Sequence, residues 1–387
     1  MRTPSERNRI RHSIVWIALL ALPLVGARSE PRAPRAPAAS GPPRIEAVFV
    51  LDTTGSMSGL IDGAKRKIWS IANEMASADP TPEIRIGLIG YRDRGDAYVT
   101  RHLDLTRDLD AVYAQLQTFR ADGGGDGPES VNQALHEALT RVSWSDGAGV
   151  YRVIFLVGDA PPHMDYPNEV QYPETVRAAL ARGITVNAVQ CGGWDETGRI
   201  WKEIARAGEG SFAAIAQDGA MAAIETPVDE PLAALSEALA DTVLPYGDPS
   251  VQREMRRKLH AAAEAPAAAA ASRLSYLDKS GEGAISGRAD LADAVRTGAV
   301  KLEELDAEAL PEAMQSMDGP ARAAYVQRVL ETRRAIQERI STLVKQRDAY
   351  LKAEIERLEA EGSGDGFDRT VAEMIRSQAE RVGIRYE

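Results

Sequence analysis

A chain of 387 residues can bury a large core and hold two domains, or one domain with an extension. Its formal charge of −11 argues against a nucleic-acid partner, since phosphate binding leans on clustered Lys and Arg. Cys191, the single cysteine, excludes an intrachain disulfide; at the end of an apolar run with no second Cys nearby it reads as a small core residue.

At the N-terminus Arg2, Arg7, Arg9 and Arg11 precede the apolar run from Ile14 to Val25 and the small pair Gly26-Ala27. This order matches a secretory signal over residues 1–27 with cleavage after Ala27, an uncleaved anchor being the alternative. The apolar run is short for a membrane span, so none is expected after cleavage. Residues 28–43, rich in Pro, Ala and Arg, read as an extended linker. Together they predict a secreted or periplasmic protein.

From residue 44 to 246 strand-like and helix-like segments alternate. Apolar, β-branched runs cover Ile45 to Leu51, Ile84 to Gly90, Tyr98 to Leu103, Tyr151 to Val157, Ile184 to Gln190 and Ser211 to Ile215. Helical patterns fall near Leu60 to Ala76, Leu109 to Phe119, Ser130 to Val142, Tyr172 to Arg182, Arg199 to Ala207 and Leu232 to Thr242. Helices between strands demand an α/β, doubly wound, mainly parallel six-stranded sheet covered on both faces. The short connection from Arg92 to Ala97 reads as a hairpin turn that makes one edge strand antiparallel.

Beyond Tyr246 the alternation stops and an all-α extension is expected. Residues 247–290, nearly all Ala over 261–271, read as a linker or a helix with weak tertiary obligations. Residues 291–387 read as helical and coiled-coil-like: Val329, Ile336, Leu343 and Tyr350 recur at intervals of seven, which suggests a seam able to join two copies. Arg333 and Arg347 interrupt that seam, so an amphipathic helix lying on the first domain is the competing reading. The run from Asp278 to Ile285 resembles the start of a Ca2+ loop, but its twelfth position is Ala289 rather than Glu.

Chemistry concentrates where the first strand ends. Val48-Phe49-Val50-Leu51 runs into Asp52-Thr53-Thr54-Gly55-Ser56, which presents a carboxylate and two hydroxyls at every second position. Ligands of open α/β sheets gather at the carboxyl ends of the strands, and an all-oxygen donor set suits Mg2+, Mn2+ or Ca2+ rather than zinc or copper. Two further loops offer acids: Asp126 in the stretch Gly123-Gly124-Gly125-Asp126-Gly127-Pro128-Glu129, and Asp159 after the strand ending in Gly158. An aspartic protease would need a second such turn, and an aspartate-nucleophile phosphatase a second carboxylate at position 54.

Taken together, these motifs resemble the von Willebrand factor A domain with its metal-ion-dependent adhesion site, in particular a secreted bacterial branch with Gly90-Tyr91-Arg92-Asp93 and Gly158-Asp159-Ala160-Pro161-Pro162-His163. The resemblance implies that Asp52, Thr54, Ser56, Asp126 and Asp159 hold a divalent cation, Mg2+ foremost. It also implies a protein partner whose acidic side chain completes the coordination; strand direction puts Tyr91, Asp93 and His163 on or beside the rim that would face it. Thr54 stands where Ser is usual, and Gly127 where a second-loop Thr is expected. A metal-dependent hydrolase using Asp52 and His163, and an envelope protein oligomerised by its C-terminal helices, are the competing functions.

Overall fold

The computed structural model describes residues 43–125, 127–147, 149–217, 224–360 and 367–386. The expected signal segment, all of the expected linker but its last residue, and Asp126 lie outside the described residues.

Six strands form one sheet: β1 (Arg44–Asp52), β2 (Glu83–Tyr91), β3 (Thr100–Thr106), β4 (Val150–Gly158), β5 (Ile184–Cys191) and β6 (Glu209–Ile215), in the order β3-β2-β1-β4-β5-β6. All neighbours are parallel except β2 and β3, which form the antiparallel edge hairpin. β1 is apolar on both faces because both are covered. Ala47, Phe49 and Leu51 point to one core with Phe155 of β4, whose ring stacks on Phe49 at 5.1 Å; Val48 and Val50 point to the other with Ile154 and Leu156.

The second face is covered by α3 (Val131–Thr140), α4 (Tyr172–Ala181) and α5 (Asp195–Ala207). The first carries α1 (Ser58–Ala76), α2 (Leu109–Leu116) and α6 (Asp229–Ala240), and most of the helices that follow. The chain leaves β1 toward β2 on one side and returns to β4 on the other. The carboxyl ends of β1 and β4 are therefore a topological switch point, where such sheets open a crevice.

Residues 247–290 are not a linker. They form α7 (Pro249–Ala263) and α8 (Ala267–Ser280), separated at Pro266, which has no amide hydrogen to continue a helix. The small alanines let α8 pack closely on α1 and α6, with Ala269, Ala270, Ala271, Leu274 and Leu277 buried. The described residues cluster as a single unit, so the C-terminal helices belong to the same body as the sheet. Asp278 to Ser280 are the last residues of α8, so no Ca2+ loop forms there.

The expected seam for a second copy is likewise used within the chain. α11 (Gly319–Ala360), which follows the short helices α9 (Leu291–Arg296) and α10 (Glu312–Gln315), lies against α6 and α8 with Ile340 and Val344 buried and Ile336 and Leu343 packed beside them. The two arginines that break the heptad pattern are its anchors. Arg333 reaches Asp290 at 2.6 Å and the Thr242 carbonyl at 2.7 Å; Arg347 reaches Asp229 at 2.8 Å. The last helix, α12 (Phe367–Ala379), sends Gln378 to Tyr151 of β4 and Asn187 of β5, at 2.6 and 3.0 Å.

Candidate metal centre

Asp52 is the last residue of β1 and is fully buried. Its Oδ1 accepts hydrogen bonds from the Thr54 amide at 2.9 Å and the Thr54 hydroxyl at 2.6 Å, a short turn that folds the hydroxyl back over the carboxylate. Ser56 Oγ lies 3.4 Å from Thr54 Oγ1 and is exposed, so the first loop rises from a buried acid to an open hydroxyl. Asp159 follows β4 directly. The two loops touch closely: a Cβ on Gly158 would lie 3.1 Å from Asp52 Cβ.

The glycine-rich second loop is laced onto the first by backbone bonds, Gly55 N–H to the Gly123 carbonyl and Asp122 N–H to the Thr53 carbonyl, both at 3.2 Å. Gly123 and Gly124 have φ of +76° and +80°, which side-chain-bearing residues rarely adopt. Asp96 of the β2–β3 turn accepts the Gly124 amide at 3.1 Å and fixes the loop from outside.

The loop delivers Glu129. A Cβ on Gly124 would lie 3.0 Å from Glu129 Oε1 and 3.1 Å from Thr54 Cβ, so carboxylate, glycine and threonine meet. Glu129 is locked against the third loop by its own amide, bonded to the Pro161 carbonyl at 2.9 Å, and by its carbonyl, which accepts from the His163 amide at 3.1 Å. The family motif points to Asp126 in this loop rather than to Glu129. The available signal was its position, an acid in the same glycine-rich loop one residue before the helix cap Ser130. Gln217, just past β6, also went unnoticed; its amide donates to Asp159 Oδ2 at 2.6 Å.

The electrostatics are those of acids held together. Burial pushes the Asp52 carboxyl up to about 7, against the pull of the Thr54 hydroxyl and with the charge of Asp159 adding to the rise. Glu129 is pushed up to about 9, by burial first and then by Asp52, Asp93, Asp96 and Asp159. Asp52 Oδ2 and Glu129 Oε2 are buried with no hydrogen-bond partner. Such oxygens are expensive unless something positive meets them.

Carboxylate and hydroxyl oxygens with two buried carboxylate oxygens unpartnered fit a hard divalent cation. Among the described residues no three Asp, Glu, His or Cys side chains alone form a group able to hold a metal. The Thr54 and Ser56 hydroxyls and solvent would have to complete a coordination shell.

Tyr91, Asp93 and His163 do not form an exposed rim: all three are buried. Tyr91 sits beneath the site, and a Cβ on Gly158 would clash with its hydroxyl. Asp93 accepts from Ser130 at 2.8 Å and Tyr166 at 2.6 Å, which ties the β2–β3 turn to the start of α3 beside Glu129. His163 stacks on Tyr166 with ring centroids 4.1 Å apart, while its Nδ1 contacts Asp165 at 2.8 Å and its Nε2 lies 3.5 Å from Asp93. They brace the loops from within, because packing the hairpin onto α3 leaves their side chains little exposure.

Residues 46–225 match the von Willebrand factor A domain, so this segment of the chain is a von Willebrand factor A domain. Human von Willebrand factor A domain-containing protein 7 is 36% identical over 115 residues, 30% of this chain and only 12% of that protein's own length. Among solved structures, the SpRpn10 VWA domain is 13% identical with a TM-score of 0.35, covering 45% of this chain and 89% of that one. An aerotolerance-related membrane protein of Bacteroides fragilis is 18% identical with a TM-score of 0.31, covering 44% of this chain and 91% of that one. Domains of this family are in general interaction modules rather than catalysts. Among the described residues no helix is long and apolar enough to cross a membrane.

Proposed function

We propose that this protein binds another protein outside the cytoplasm through a divalent cation, Mg2+ foremost, held by Asp52, Thr54, Ser56, Asp159 and Glu129. Glu129 takes the second-loop place that the sequence gives to Asp126. One observation carries the reading: two buried carboxylates, Asp52 and Glu129, each keep an unpartnered oxygen in one crevice, and the charges of Asp52, Asp93, Asp96 and Asp159 all press on Glu129. A bound cation would supply a Lewis-acidic position able to accept a carboxylate from the partner. The chain's own residues shape that position: Thr54 bridges to Asp52, Gln217 orients Asp159, and exposed Ser56 leaves one side open. The extracytoplasmic setting rests on the N-terminal signal pattern.

The test is thermal melting of the purified chain with Mg2+, Mn2+ or Ca2+ and with a chelator. A ligand that binds only the folded state raises the melting temperature. The reading expects a rise with at least one of these ions and none in Asp52→Asn. Identical curves with and without each ion would contradict it.

A further inference from the structure

Among the described residues five large apolar side chains are exposed, and two of them lie beside the metal centre: Met164 in the third loop and Trp194 in the β5–α5 loop. Trp194 stands between β5 and α5, 43% exposed, its carbonyl tied to Gln190 Nε2 at 2.8 Å. Its indole rests on the second loop: a Cβ on Gly127 would lie 2.5 Å from Trp194 Cη2, two residues before Glu129. Met164 is 42% exposed and follows His163, whose amide binds the Glu129 carbonyl. Its carbonyl accepts from Gln171 at 3.1 Å and its sulfur lies 3.7 Å from Asn132 Nδ2. Both are thus large apolar side chains on anchored backbone, on either chain flank of Glu129. The exposed glycines 123–125 carry no side chains, so the second loop leaves room for a ligand.

The charges around these two residues narrow the ligand further. Asp122 and Asp165, on the second and third loops, have side chains 77% and 79% exposed. A polyanion would be repelled by them. A single carboxylate would be repelled much less, and apolar neighbours covering it would strengthen its attraction to a cation by excluding water. Trp is the residue type most enriched where binding energy concentrates, and Met adapts its shape to what it covers.

We propose that the partner presents an Asp or Glu flanked by aliphatic or aromatic side chains, the carboxylate going to the cation and the apolar neighbours to Trp194 and Met164. This rests on the cation-dependent reading above and adds the partner's local chemistry. The test uses three fluorescent peptides with the full chain, in Mg2+ and in chelator: a central Glu flanked by Leu, the same Glu flanked by Ser, and a central Gln flanked by Leu. The Leu-flanked Glu peptide should bind about tenfold more tightly than the Ser-flanked one in Mg2+, and the Gln peptide should not bind. Trp194→Ala should bring the two Glu peptides to equal affinity while Mg2+ binding, measured by calorimetry, is unchanged; Trp194→Phe should keep most of the difference. If Mg2+ binds but the two Glu peptides are equivalent, or neither binds, the flanking-residue inference is overturned and the cation site stands. If Mg2+ itself does not bind, both fall.

Discussion

The two ends of this molecule treat buried charge in opposite ways. In the helical layer three buried acids are answered by arginines of the chain: Asp110 receives Arg273 at 2.6 Å, Asp229 receives Arg347 at 2.8 Å, and Asp290 receives Arg333 at 2.6 Å. At the carboxyl end of the sheet Asp52 and Glu129 keep unpartnered buried oxygens. Matched pairs hold helices in register; unmatched acids make a site whose stability waits on something from outside. The same desolvation penalty therefore serves anchoring in one region and ligand capture in the other.

Breaking the comparison at its matched end gives the largest effect. Arg273→Ala leaves Asp110 buried without its cation and should lower unfolding free energy by roughly 3–5 kcal/mol in urea denaturation. The double variant Arg273→Met with Asp110→Leu should recover most of that loss, since an apolar pair of similar volume needs no desolvation of charge. If the double variant is no more stable than the single one, the pair is not what anchors α8 to α2.

At the unmatched end the effect is a pH dependence that a cation should remove. A carboxyl whose pKa is higher in the folded chain keeps its proton where the unfolded chain has already lost it. Asp52 rises from 3.8 to about 7 and Glu129 from 4.5 to about 9, so in chelator stability should be greatest at the acidic end of that range and fall as pH climbs through it. With Mg2+ in excess the decline should flatten, because the ion replaces the protons. Melting curves at several pH values, with and without Mg2+, check this; parallel trends in the two conditions would count against a shared cation.

A smaller change sharpens the role of the glycine loop. Gly124→Ala forces a side chain into φ of +80° and toward Glu129 Oε1, and should destabilise the fold by about 1–2 kcal/mol. Misplacing Glu129 should also weaken Mg2+ affinity by roughly tenfold. Gly95→Ala, where φ is +96° but nothing lies within 4 Å, should share the strain and leave affinity alone.

How far these features can be read from sequence follows from their range. The strand ending at Asp52 is legible because apolar runs and turn residues are local signals, and the switch point follows from the alternation of strand and helix. Glu129 was missed because its membership depends on a bridge to Pro162 in another loop, which no local pattern encodes. Tyr91, Asp93 and His163 were assigned to the rim from strand direction alone, but burial depends on how the hairpin and α3 pack. Ala-rich α8 reads equally as a linker or a weakly held helix because alanine carries little hydrophobic signal, although its smallness is what allows close helix contact. Arg333 and Arg347 looked like faults in a dimer seam until their partners in distant segments were in view.

The most direct test of the central claim is calorimetric titration of Mg2+ into the wild-type chain and into Glu129→Gln, with Asp126→Asn alongside. The account predicts one cation per wild-type chain, binding lost in Glu129→Gln and largely kept in Asp126→Asn. Wild-type binding that survives in Glu129→Gln, or no binding by the wild-type chain, would contradict it.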